Sequence, residues 1–598
     1  VNDADVGTKY GRFRRRSRSI SAKGRNRLYA ILLVLLLFQL PSGNPVSAED
    51  TSGSSPDAII INATDTMTFF VVEVPGSVGG GFEPHILAAP GVDGKQWYYV
   101  DSPTGLGSKE SGWLWVSKDY GETWQFCSKG LLSGSWAGSG DSYTTVTKDG
   151  VIYFTDLLLA TSTIQTSSDG GTTWVRNPVA SVTPIDDRQW LSVGPTVGGN
   201  PLSKKETVYM SYNQIPTGLW IMCSQFTSLG LGWRAGNRGR PITADTHARD
   251  VMSVDSHDGT IYLPNTETSS LAMYVSTDGG TSFTRKKVID GGPEEFQSIF
   301  VVSDEDEAGN VYLGWTDERN VTMAVSQDKG DSWRFLTAQS GNGTRVLPWI
   351  AAGDNGRVGM VWYETNETGL SDELASATWD VMAAVTEDVF APNVTFYHSI
   401  VEKAVHVGTI RTSGTSGNAD RDLGDYMSCD VDDMGRLIMT YGWDGDDGVG
   451  KYDSKVMVAR QEGGPFLRDG MGPIAKFTKR QSGMTVKVDG SASSDQSGKG
   501  LSKYVWRWGD GRNDTGQNAL SAHTYKKAGK FNLTLLVTNS DNMTGYTSMT
   551  VTIIAPETTS LGGLWLGTGI AAAVAAGVFV FYKYGRGRIK VPGPRPKA

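Results

Sequence analysis

Apolar and polar residues alternate with a period of two through most of the chain, in short runs punctuated by glycine, asparagine and aspartate. Successive side chains of a strand point to opposite faces, so this pattern predicts many short, half-buried strands. Pairs of turn residues precede several runs: Asp93 and Gly94 before Trp97, Asp149 and Gly150 before Ile152, Asp258 and Gly259 before Ile261, Asn355 and Gly356 before Val358. Such pairs suit two-residue hairpins, whose central positions need positive φ. Long apolar stretches without this alternation are confined to the two ends. The body of the chain therefore reads as all-β.

The ends carry other signals. Nine basic residues precede an uncharged run over 28–40, followed by the small residues Val46, Ser47 and Ala48. A basic flank, a short apolar core and a small-residue site predict a secretory leader over 1–48. A second uncharged run, over 561–582, is long enough for a bilayer, which needs about 20 residues. It predicts one C-terminal transmembrane helix, with a linker at 556–560 before it. Lys583, Arg586, Arg588, Lys590, Arg595 and Lys597 follow with no acid among them, so the 583–598 tail is expected inside and the rest outside.

A repeat organises the region between. Ser117, Asp119, Gly121, Thr123 and Trp124 recur as Ser167, Asp169, Gly171, Thr173 and Trp174, as Ser276, Asp278, Gly280, Ser282 and Phe283, and as Ser326, Asp328, Gly330, Ser332 and Trp333. The starts are 50, 109 and 50 residues apart, with a degraded copy from Ser224 to Trp233 inside the long interval. Regular spacing of this length marks repeat architectures. These segments resemble the Asp-box, or BNR repeat, of sialidases and related propellers. The aspartate accepts turn amides, the glycine permits left-handed backbone and the aromatic pins the turn, so the box is evidence of fold rather than of catalysis. The resemblance implies a six- or seven-bladed β-propeller over 49–466, with units opening near Phe82, Asp141, Asp187, Arg249, Glu295, Arg345 and Asp425. Three further segments resemble sialidase-like BNR proteins: Asp187 to Leu191, Pro348 to Asp354, and Leu423 to Met427.

After Pro465 the pattern changes. Trp506, Trp508, Gly509, Asp510 and Gly511, followed by His523, Tyr525 and the alternating Leu533, Leu535 and Val537, resemble the PKD domain. That family implies an immunoglobulin-like β-sandwich over 467–555, with Trp508 where the family usually has phenylalanine. Spacer and glycan-proximal adhesion module are both open roles for it.

Charge narrows the partners. The whole chain is −9, but without the leader and the segment from 561 onward, 40 basic and 62 acidic residues remain, about −22. Such a field disfavours nucleic acid and admits polyanions only at a local basic pocket. The cysteines Cys127, Cys223 and Cys429 fit no metal-ligand pattern, and leave open one disulfide with a free thiol or three buried thiols. The six histidines are scattered, so no histidine–zinc site is expected and no cofactor is assigned. Acidic turns at Asp304 to Glu307 and Asp444 to Asp447 leave calcium open without completing its loop pattern. Sequons at Asn62, Asn320, Asn342, Asn366, Asn393, Asn513, Asn532 and Asn542 fit an exterior location.

Residues that open the inner strands of a repeat architecture are the ones to inspect for chemistry. Among them Arg188, Arg249 and Arg345 are the candidates for holding an anion, Asp187 for the acid/base, and Tyr426 with Glu295 for a nucleophile pair. The arginine-bearing F/Y-R-I-P motif of true sialidases is absent, so no sialidase role carries over residue by residue. The leading expectation is a surface-anchored, sialidase-like chain on the outer face of the cell membrane, recognising extracellular glycans or glycoproteins, with glycosidic hydrolysis as its candidate chemistry. The rivals are a non-catalytic adhesion or scaffold protein and a hydrolase or lyase for another extracellular polymer.

Overall fold

The computed structural model describes residues 59–554, apart from 62–66, 106–110, 128–138, 159–160, 178–179, 182–184, 199–204, 225–231, 246–248, 292–298, 413–420, 446–453, 469–472, 496–499 and 541–543. The chain divides into two compact units that meet at Gly472 and Pro473.

In the first unit the period-two runs form antiparallel sheets of four sequential strands, as local hairpin chemistry dictates. His85–Pro90, Gln96–Ser102, Trp113–Ser117 and Gln125–Phe126 make one such sheet. Five more follow in chain order, opening with Ser142–Val146, Asp186–Pro195, Ser253–Val254, Val302–Glu305 and Thr344–Ala352. A five-stranded sheet joins early and late segments, because Thr68–Glu73 pairs with Lys455–Gly463 beside Leu437–Trp443 and Ser428–Val431. Its Ser428–Val431 strand is tied to the earliest sheet by Ile86 N–H donating to Ser428 Oγ at 2.8 Å and Ala88 N–H donating to Asp430 Oδ2 at 2.7 Å.

The expectation of a six- or seven-bladed propeller followed by a transmembrane helix is corrected here. Among the described residues the strand ladders stay within small separate sheets and form no closed barrel or propeller. Among the described residues no helix is long and apolar enough to cross a membrane, and the apolar run at 561–582 lies outside them, as do the leader and tail. The fold is all-β with many small antiparallel sheets.

The repeated turns have the geometry that their residues predict. In each, the serine hydroxyl donates to aspartate Oδ1 (2.8 Å in the first) and accepts the glycine N–H (2.8 Å at Gly121). The aspartate also takes the N–H and hydroxyl four residues on, at 2.8 and 2.5 Å from Thr123 to Asp119. The other three boxes repeat this ring within about 0.2 Å. Gly121 has φ +85°, a left-handed conformation that a side chain resists. Each aspartate thus closes its own hairpin and presents no free oxygen to a ligand. The three cysteines are buried free thiols, which settles the alternative left open above. Burial pushes Cys127 up to about 12 and Cys223 up to about 11.

The second unit packs the sheet of Thr478–Ser482, Thr485–Asp489 and Leu520–Thr524 with that of Asn513–Gly516, Leu501–Arg507, Gly529–Asn539 and Thr544–Ile553. Trp506, Trp508, Tyr525, Leu533, Leu535 and Val537 form its core. Tyr525 donates its hydroxyl to the Trp508 carbonyl at 2.8 Å. A Cβ on Gly509 would lie 2.5 Å from the Asn532 carbonyl oxygen, which explains the glycine after the second tryptophan. Asp510 accepts His523 Nε2 at 2.8 Å and the Arg512 N–H, as a turn residue does.

One box tests the turn chemistry. Burial pushes the Asp328 carboxyl up, but hydrogen bonds from Ser332 and Ser326 outweigh it and hold the group down to about 2. Its folded value lies below the unfolded one, so its contribution is present above the unfolded value near 3.8 and fades as pH falls through about 2. Asp328→Asn is expected to lower stability at pH 7 by about 1 kcal/mol, comparable to loss of a capping bond. Urea titrations should show the gap to the parent shrinking as pH drops from about 4 toward about 2.

Candidate functional site

Four segments that open or precede first strands converge in the first unit. Arg188 lies at an irregularity in Asp186–Pro195, where the register shifts between Asp187 and Trp190, and its φ is +53°. Such a bulge re-aims a side chain out of the strand's alternation. The aimed guanidinium meets carboxylates from three other places in the sequence. Arg188 donates to Glu83 at 2.7 and 3.2 Å, pairs with Asp141 at 3.0 Å, and contacts Asp425. Arg421 completes the cluster, with Nη2 2.6 Å from Asp425 and 3.5 Å from Glu83. Glu83 itself has φ +50°, and Gly424 makes room for it: a Cβ there would sit 2.2 Å from Glu83 Cγ.

The floor of this cluster is aromatic. Arg188 stacks over Phe300 at 5.0 Å, and Trp190 makes edge contacts with Tyr143, Phe300, Trp349 and Tyr426 at centroid separations of 5.1 to 6.3 Å. Trp190 Nε1 donates to the Arg249 carbonyl at 2.8 Å, which seats that arginine at the rim.

Three carboxylates and two guanidiniums share a dry space, so the charges do not cancel and one proton is favoured. Burial pushes Asp141 up to about 7, against Arg188 and assisted by Glu83, Asp187 and Asp425. Glu83 is also raised, first by burial. Asp425 is held low because Arg188 and Arg421 together outweigh its burial. The result is a carboxylic acid retained near neutral pH beside a fixed carboxylate, the condition a general acid needs.

The six candidate residues fall into different places. Arg188, Asp187, Arg249 and Tyr426 come together around the cluster. Arg188 is buried and its donors are taken by acids, so it organises carboxylates rather than an incoming anion. Asp187 is half-buried at the edge, and the position a proton favours is Asp141 instead. Tyr426 is 2 % exposed, donates to the Ser142 carbonyl at 3.3 Å, and is pushed well above the usual phenol range by burial. Arg345 goes elsewhere: its guanidinium binds Glu364 at 2.8 Å and the carbonyls of Arg319 and Gly343. Glu295 lies outside the described residues.

Two arginines that the sequence reading passed over belong here, Arg421 and Arg411. Arg421 could have been found from its spacing, four residues before Asp425. Arg411 carries no comparable signal. It is half-buried, and burial together with the nearby Arg421 lowers its affinity for its proton. Arg249 and Arg411 both act electrostatically on Asp425 or its neighbours, yet neither donates a hydrogen bond or forms an ion pair among the described residues. No group of three or more histidine, cysteine or acidic side chains able to hold a metal occurs among the described residues. A separate open cleft of about 770 Å³, lined by Glu307, Asp354, Asn355, Arg357, Glu387 and Asp388, contains none of the cluster residues.

Comparison with known proteins places one part of the chain. Residues 471–554 match the model of the PKD domain. Over 150 residues, 25% of this chain, the sequence is 27% identical to the pre-pro-metalloprotease PrtV of Vibrio cholerae serotype O1, and spans only 16% of that protein's length. The crystal structure of the PKD1 domain of PrtV is 29% identical, covering 14% of this chain and 98% of that domain, with a TM-score of 0.13. The phage phi92 endosialidase is 11% identical over 84% of this chain and 88% of its own, with a TM-score of 0.35.

The charge arrangement predicts two measurable effects. Arg188→Met leaves three buried carboxylates around an apolar group and should cost about 3–5 kcal/mol in urea unfolding. Asp141 has a folded value above its unfolded one, so its favourable contribution is complete below about 4 and is lost as pH rises through about 7. Asp141→Asn should therefore flatten the decline in stability between pH 4 and 7 relative to the parent. An unchanged slope would place the proton elsewhere.

Proposed function

We propose that the first unit recognises acidic glycans outside the cell, at the arginine rim above the Arg188 cluster. The observation that carries this reading is the pair of half-buried arginines, Arg249 and Arg411, whose donors are uncommitted among the described residues. A guanidinium partly shielded from water binds a carboxylate or sulfate with charge-assisted, bidentate hydrogen bonds. Arg421, itself partly exposed, adds a third positive group on the same side of Asp425. In a chain segment of about −22, such a pocket is where an anion can approach.

Hydrolysis is the chemistry that the floor of this site supports. Asp141, raised by burial, would give its proton to a leaving glycosidic oxygen while Asp425 stays ionised to stabilise developing positive charge; water then adds to the sugar carbon and its proton returns to the Asp141 carboxylate. Binding without turnover is the second reading. It is favoured by the burial of Tyr426 and by the full engagement of Arg188, which remove two groups expected of a sialidase-type mechanism.

The test is retention of the purified protein on immobilised sialylated and uronic-acid glycans, with parallel assays on fluorogenic glycosides. Arg249→Ala and Arg411→Ala should each weaken retention at least about tenfold, a loss of about 1.4 kcal/mol or more. Asp141→Asn should abolish any turnover while leaving retention intact. Retention equal to the parent in both arginine variants would sink the rim as the binding site.

A further inference from the structure

The second unit has the opposite charge to the first. Residues 471–554 carry 11 basic and 5 acidic side chains, +6, whereas 49–470 carry 29 basic and 56 acidic. The positive charge is not spread evenly. On the sheet of Thr478–Ser482, Thr485–Asp489 and Leu520–Thr524, Val486 and Val488 point into the core, so Thr485, Lys487 and Asp489 point out. The register sets Arg480 directly opposite Lys487, and Lys487 directly opposite Ala522. Arg480, Lys487 and Ala522 are all exposed.

Two like charges directly across a ladder are destabilising unless something neutralises them. Neither Arg480 nor Lys487 forms an ion pair or side-chain hydrogen bond among the described residues, and Arg480 meets Asp489 only through a longer-range charge attraction. The one neighbouring acid, Asp489, is turned to its own loop, where Oδ1 accepts Ser491 Oγ at 2.6 Å and the Ser491 N–H at 3.0 Å. Beyond Thr524 the chain adds Lys526 and Lys527, both exposed, past the Tyr525 N–H bond to the Met484 carbonyl that closes this end of the sheet. The remaining outward positions are small or hydroxylated: Thr478, Ser482, Thr485, Ala522 and Thr524, with Leu520 at the edge.

We propose that this face of the PKD domain is a docking surface for a polyanionic polysaccharide. Exposed positive charges at Arg480 and Lys487, with Lys526 and Lys527 further along the chain, suit a linear polymer of repeating charge better than a single small anion. The hydroxyl-bearing positions between the charges offer donors to sugar oxygens. With the rim of the first unit this gives the chain two anion-recognising surfaces, and tethered surfaces raise retention on a repetitive polymer by local concentration.

The experiment uses the full chain on immobilised heparin, with vesicles of phosphatidylcholine and phosphatidylserine in a parallel arm. Arg480→Gln with Lys487→Gln, both at exposed positions, should weaken heparin binding at least about tenfold. It should also flatten the dependence of log affinity on log salt by about two, since two counterion-releasing contacts are lost. Lys503→Gln with Arg512→Gln, exposed positions off this face, should leave heparin binding within about twofold, and adding the Arg480 and Lys487 changes to the Arg249→Ala, Arg411→Ala chain should still lower binding and flatten the salt slope, so failure here is distinguishable from failure of the rim. Circular dichroism of each variant reports folding. Unchanged retention and salt slope in the Arg480 and Lys487 variant would overturn the proposal, as would binding to the vesicles without binding to heparin.

Discussion

The first unit depends on one buried guanidinium. Arg188 connects Glu83, Asp141 and Asp425, which come from segments flanking three different sheets, and without it three carboxylates would face one another with little water between them. Removing an ion from water costs several kcal/mol, so such a cluster persists only when geometry returns most of that. The geometry here is specific. A bulge turns Arg188 inward, Phe300 stacks beneath it, and a glycine at 424 lets Glu83 close to contact distance. Electrostatics and steric allowance are therefore one constraint: a side chain at 424 would separate the charges that hold the sheets' openings together.

This cluster also explains why the chemistry moves away from the residues that look reactive in one dimension. Arg188 has the right type for anion binding, but both of its terminal nitrogens are engaged by the three acids. Tyr426 has the right type for a nucleophile, but it lies among Trp190, Trp349 and Phe300, where burial disfavours the phenolate. The uncommitted groups are one layer further out. Arg249 and Arg411 form no hydrogen bond or ion pair from their side chains among the described residues, and burial first, then the neighbouring acids, pushes Asp141 up against the pull of Arg188. The cluster thus works as a positively tied floor, and discrimination between ligands falls to its rim.

What the chain reveals by reading follows from how far apart the interacting residues lie. The Asp-box turns were legible in full, because serine, aspartate, glycine and threonine bond within four residues of one another. The PKD unit was legible from a compact motif, although its residues act on partners 13 to 23 positions on: Asp510 on His523, Trp508 on Tyr525 and Gly509 beside Asn532. Arg188 and its partners were legible only as strand openings. Their pairing spans 105 residues to Glu83 and 237 to Asp425, and no local spacing encodes it. Arg345 shows the converse. It opens a strand as Arg188 does, yet a nearby Glu364 and two carbonyls capture it locally, so an equivalent position gave a different role. The propeller expectation took the repeat as sufficient for closure. Local turn chemistry specifies each hairpin and each small sheet, but not a closed arrangement of them.

The two units divide charge as well as fold. A long segment of strongly negative balance confines anion recognition to places where arginines are held half out of water, and the Arg249 and Arg411 rim meets that condition through a tryptophan that fixes the Arg249 backbone. The PKD unit holds its positive charge differently, with Arg480 and Lys487 opposed by register on exposed positions of a sheet and neither in an ion pair among the described residues. A pocketed arginine selects by geometry, because its donors are fixed and partly desolvated; an open basic face selects by charge density, because solvent screens each contact.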